Sequence, residues 1–98
     1  MRSEFGEEAR NEFLAAIDWY EDARPGLGAE FEAEVEDAIS TVEDNPWFYA
    51  EIASGVRRCL VSRFPYALMY CVESDRVIIL AVMHASRRPG YWRTRLKA

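Results

Sequence analysis

The sequence predicts an α+β domain in which an N-terminal antiparallel helical hairpin packs on a small antiparallel β-sheet, in the order β-α-α-β-β-β. Two segments, Glu7–Asp22 and Ala29–Asp44, repeat apolar residues at helical spacing on either side of Arg24-Pro25-Gly26-Leu27-Gly28. From Arg57 onward the pattern becomes three strand-like runs joined by short turns. Charge divides at the same boundary. Residues 1–50 set Arg2, Arg10 and Arg24 against 14 carboxylates, whereas residues 51–98 set nine Lys or Arg against Glu51, Glu73 and Asp75.

Taken in order, Arg2–Phe5 is a short candidate edge strand. Ala9, Phe13, Ala16, Ile17 and Tyr20 then fall on one face of a helix, with Glu8, Glu12 and Asp18 elsewhere on its surface. Pro25 and the glycines after it end that helix, because proline fixes φ and glycine permits the reversal. Leu27, Phe31, Val35, Ala38, Ile39 and Val42 form the stripe of the second helix, which Asn45-Pro46 closes. So short a connection implies antiparallel neighbours. The absence of sustained heptads favours an intramolecular core over a coiled coil. Trp47–Gly55 reads as a loop whose aromatics plug the core edge, with one left for a partner as the alternative.

In the first predicted strand, Arg57–Arg63, Cys59 and Val61 point one way and Arg58, Leu60 and Ser62 the other. Phe64-Pro65 turns into Tyr66–Val72. Glu73-Ser74-Asp75 is a hairpin-length turn, and Val77–Met83 is apolar throughout, as in a strand covered on both faces. The helices cover one face; Arg87–Leu96 is the segment available for the other.

Ninety-eight residues make one domain, spanning 1–98, with 50% apolar composition. No apolar run approaches the roughly 18–20 residues of a membrane span, and no signal-peptide core follows Met1, so the expected location is the cytoplasm and no membrane partner is expected. Cys59 and Cys71 fit reduced, buried thiols; a cross-strand disulfide is the minor reading. Without Cys-x-x-Cys or clustered His, neither a metal site nor a cofactor is expected. Despite a net charge of −5, the division of charge lets the molecule offer a basic face to an anionic partner. Solvated helix faces account equally for the acidic half.

The residues able to supply an acid, a base or a cation at a phosphate are Arg58, Arg63, His84, Arg87, Arg88, Tyr91 and Arg93. His84 is the default acid or base from its ordinary pKa, although a single His ending an apolar strand is more often structural. Arg87 and Arg88 either clamp a phosphate or anchor the tail to helix carboxylates. Arg57 and Arg58 face opposite sides of a strand, so only one serves a given site. Tyr91 and Trp92 either stack on a base or cover the sheet; the lid is favoured for Trp92.

WYEDARPGLGAEF at Trp19–Phe31, Asn45-Pro46, Arg57-Arg58, RFPYALMY at Arg63–Tyr70 and the ending VIILAVMHASRRPGYW together resemble, in order and spacing, the RelE/ParE superfamily of bacterial toxins, often called plasmid-stabilisation proteins. The resemblance implies the fold above and a cognate antitoxin that neutralises the chain. It also implies one of two activities: ribosome-dependent cleavage of messenger RNA in the RelE branch, or inhibition of DNA gyrase by binding in the ParE branch. Carried across by position, Arg58 and Arg87 match cations of the nuclease branch, and Tyr91 approximates its tail tyrosine. Ala67 and Leu60 stand where that branch has two further cations. Ribosome-directed nucleases are usually strongly basic, whereas this chain has a pI near 4.9. The expectation is a ParE-like toxin that binds DNA gyrase. In that case Arg57, Arg63, Arg88 and Arg93 contact the target or a phosphate, while Arg58, His84, Arg87 and Tyr91 are catalytic only in a nuclease. The alternatives are a ribosome-dependent endoribonuclease, with ribosome and mRNA as partners, and a degenerate module that retains only antitoxin binding.

Overall fold

The computed structural model describes residues 1–96. Strand β1 (Arg2–Phe5) leads into helices α1 (Glu7–Ala23) and α2 (Leu27–Asp44). Strands β2 (Glu51–Ala53), β3 (Val56–Leu60), β4 (Tyr66–Glu73) and β5 (Arg76–His84) follow, and then a 3-10 helix at Tyr91–Arg95. The strands form one sheet in the order β1-β5-β4-β3-β2. The predicted α+β architecture is present, with two differences. The sheet is mixed rather than antiparallel throughout, because β1 pairs with β5 in parallel register, Arg2 opposite Arg76 through Phe5 opposite Ile79. The segment expected as loop between Trp47 and Gly55 contains β2, which folds back on β3 through a turn in which Gly55 has φ 76°.

The hairpin depends on two glycines. Gly26 takes a left-handed φ of 91°, which an L side chain rarely adopts. Gly28 lies inside α2, where a Cβ would come within 2.7 Å of the Ile17 carbonyl oxygen, so the helices touch backbone to backbone. Glu21 of α1 accepts the N–H groups of Gly26 (2.9 Å) and Gly28 (3.0 Å), satisfying donors at the start of α2 that have no partner within the helix.

Alternation along the strands sorts side chains into two layers. Toward the helices, Leu68, Tyr70, Val77, Ile79 and Val82 pack on Phe13, Phe31, Val35 and Val42. Burying each large side chain stabilises the fold by roughly 1.5–3 kcal/mol. On the far face Val56, Ala67, Met69, Leu80, Ala81 and Trp92 form a second layer. Trp92 is buried there, so the C-terminal segment covers this face as expected. Met69 opposes Ala81 and Tyr70 opposes Ile79, which leaves Leu80 as the extra residue of a β-bulge and turns Leu80 and Ala81 to the same layer.

Of the loop aromatics, only Tyr49 packs on the core; Trp47 and Phe48 are exposed. Cys59 lies in the helix-side layer and Cys71 packs against the other, so the sheet separates the two thiols and excludes the cross-strand disulfide. Among the described residues no helix is long and apolar enough to cross a membrane.

Candidate functional site

Beyond Phe5, β1 stops covering the outer edge of β5. Gly6 N–H still reaches the Ile79 carbonyl at 2.9 Å, but the Leu80 carbonyl and Val82 N–H have no neighbouring strand on that side. Glu12 and Arg95 take over. Glu12 Oε1 accepts Val82 N–H at 3.1 Å and Arg95 Nη1 at 2.8 Å, while Arg95 Nη1 also donates to the Leu80 carbonyl at 3.0 Å. Glu12 Oε2 accepts the Tyr91 hydroxyl at 2.6 Å and Arg95 Nη2 at 3.0 Å. Both charged side chains are largely buried, at 15% and 13% exposure. This pair closes the sheet edge and fastens the 3-10 helix to α1.

Sequence reasoning missed both residues. Its polar neighbours place Glu12 on the outer surface of α1, and nothing in the local sequence sets Arg95 among the candidate cations. The available signal was position: Glu12 lies three residues after Ala9 and four before Ala16, on the margin of the apolar stripe, where a carboxylate requires a partner.

The pair determines what surrounds it. Tyr91 has its pKa pushed strongly upward, by burial first and then by the hydrogen bond to Glu12 and the Glu12 charge, so its hydroxyl holds its proton firmly. The Arg87 guanidinium stacks 3.9 Å from the centre of the Tyr91 ring, with one nitrogen 3.9 Å from Glu12 Oε2. His84 packs edge-on against Tyr66, its Nδ1 accepting Ser86 N–H at 2.9 Å and lying 2.8 Å from Ser86 Oγ. With Nδ1 engaged by Ser86, Nε2 is the ring nitrogen left to meet another group.

Arg58 is elsewhere. It pairs across the sheet with Met69 of the far layer and lines an apolar groove of about 330 Å³ with Leu60, Ala67 and Met83. His84 pairs with Tyr66, which packs on the helix-side layer. Cross-strand pairing therefore assigns Arg58 and His84 to opposite faces of the sheet, with Tyr66 at its end lining both the Arg58 groove and the cleft beside His84. His84 with Arg87, and Arg87 with Tyr91, are brought together; the four do not converge on one phosphate-sized space.

The cations assigned to target or phosphate contact divide similarly. Arg57 donates to the carbonyls of Trp47 and Tyr49, lies 5.4 Å from the Trp47 ring centre and approaches Glu51 at 3.6 Å, which ties down the loop before β2. Arg63 bridges Glu30 at 2.7 Å and Glu34 at 3.3 Å, fastening the β3–β4 connection to α2, and its hydrogen bond holds the Glu30 carboxyl below its ordinary range. Arg88 and Arg93 are exposed, with Arg93 5.2 Å from the Trp92 ring centre.

Residues 4–89 match the model of the ParE toxin of the type II toxin–antitoxin system, parDE. The chain belongs to this family of toxins. A solved structure described as a chromosomal ParDE toxin–antitoxin system from P. aeruginosa superposes with a TM-score of 0.77 at 17% sequence identity, over 88% of this chain and 97% of that one. At that identity the likeness concerns the fold. A comparison with curated proteins gives no match.

Proposed function

We propose that this chain, acting in the cytoplasm as one domain, arrests growth by binding DNA gyrase and is neutralised by a cognate antitoxin, without cleaving RNA. Family membership supports the toxin and its antitoxin partner. The observation that carries the non-nucleolytic reading is the placement of Arg58 and His84 on opposite faces of the sheet, with the Tyr91 proton held by Glu12. General acid–base cleavage requires these groups within hydrogen-bond reach of one phosphodiester. Ala67 and Leu60 add no cation to the Arg58 side.

Purified protein added to DNA gyrase is expected to abolish supercoiling of relaxed plasmid while RNA in the same reaction stays intact. Unchanged supercoiling at stoichiometric excess would overturn the proposal. A chain that neither inhibits gyrase nor arrests growth without antitoxin would be a binding module only.

A further inference from the structure

Trp19 projects from α1 with 71% of its surface exposed, which is unusual for so large an apolar ring. With Ala15, Ala16, Tyr66, His84 and Arg87 it lines a cleft of about 250 Å³ between α1 and the end of β5. The polar groups facing this cleft are unbalanced. Its carboxylate, Glu12, already receives Val82 N–H, the Tyr91 hydroxyl and two Arg95 nitrogens. Arg87 is half exposed, and His84 has only Nε2 uncommitted by Ser86. The cleft thus offers an aromatic wall and donors, with its acceptor occupied, and an occupant that complements it is apolar on one side and anionic on the other.

We propose that this cleft docks one acidic segment of a partner protein, with an aromatic or aliphatic side chain against the Trp19 indole and the adjoining carboxylate on Arg87 and His84. A carboxylate accepts charge-assisted hydrogen bonds from a guanidinium, and aromatic and arginine side chains are the commonest anchors of protein interfaces. The volume is below that of ordinary small-molecule pockets and suits a side chain with its neighbour. Asp18 and Asp22, exposed on the same turns of α1 as Trp19, repel negative charge beyond the single carboxylate that Arg87 receives, which limits the segment to one acidic group at this site and disfavours a nucleic-acid strand. The inference rests on the reading that the chain acts by gripping a protein.

The test is an NMR titration of the full chain with indole-3-acetate, following the indole N–H signals of Trp19, Trp47 and Trp92. Saturable shifts are expected at Trp19. Affinity should exceed that for tryptamine, the cationic analogue, by about tenfold, and Arg87→Ala should erase that preference. Trp47 is 62% exposed and serves as the internal control for indiscriminate ring adsorption. Equal shifts at Trp19 and Trp47, equal affinity for tryptamine, or tighter binding of adenosine monophosphate would each overturn the proposal, the last by making the cleft a nucleotide site. The titration contains no gyrase, so saturable binding here together with unchanged supercoiling in the gyrase assay would sink the target assignment and leave the cleft standing.

Discussion

Glu12 and Arg95 form the ion pair on which the C-terminal 3-10 helix depends. Arg95 donates to both oxygens of Glu12, and the pair is largely removed from water, so each charge relies on the other. Removing one member of such a pair leaves an uncompensated charge, which typically costs about 3–5 kcal/mol, against about 0–1 kcal/mol for an exposed pair. Glu12→Gln is therefore expected to lower stability in urea unfolding by about 3 kcal/mol, with faster tryptic cleavage at Arg93 and Arg95 as the 3-10 helix detaches. A loss no larger than that of an exposed pair would mean that the tail is held by Trp92 packing alone. Individual residues were legible where their pattern was periodic: Cys59 and Val61 inward and Leu60 outward follow from strand alternation. Glu12 was not, because its partners lie 70 to 83 residues further along the chain, and no local pattern encodes such a contact.

At the scale of elements, the hairpin and the three long strands were legible because their apolar stripes run for several turns or alternations. The segment Arg24–Gly28 reads as a breaker, but α2 already begins at Leu27 and includes Gly28. A glycine signals freedom in a turn and close approach in a helix with the same letter. Here the space decides: a Cβ at Gly28 would lie 2.7 Å from the Ile17 carbonyl oxygen and 2.9 Å from Glu21 Cβ. Intrinsic propensity favours Gly28→Ala by about 1 kcal/mol, whereas overpacking typically costs about 1–3 kcal/mol. With backbone on one side of the clash, overpacking is expected to win, and thermal unfolding should shift downward by several degrees. Strand β2 escaped notice because it spans only three residues, Glu51–Ala53, among loop-like neighbours. The parallel pairing of β1 was equally hidden, since four residues carry no record of which strand they join.

For the whole molecule, the division of charge visible in the sequence is partly cancelled by the fold. Arg57, Arg63, Arg76, Arg87 and Arg95 all approach carboxylates of the chain itself, and Arg63, Arg76, Arg87 and Arg95 reach back to residues of the acidic half. Most of what faced an anionic partner in the sequence is used internally to fasten strands and tail, while Arg87, half exposed and 3.9 Å from Glu12, keeps one face for a partner. Among the described residues of the basic half, Arg58, Arg88 and Arg93 remain as exposed cations outside these pairs. That distribution suits a protein-binding toxin better than one gripping a phosphate chain, whose affinity scales with the number of phosphates neutralised. The most direct measurement is made in cells expressing the chain without antitoxin, comparing plasmid superhelicity with primer extension on translated messages. A gyrase-binding toxin predicts relaxed plasmid and full-length transcripts. Ribosomal A-site cuts that disappear in Arg87→Ala, with superhelicity unchanged, would contradict it.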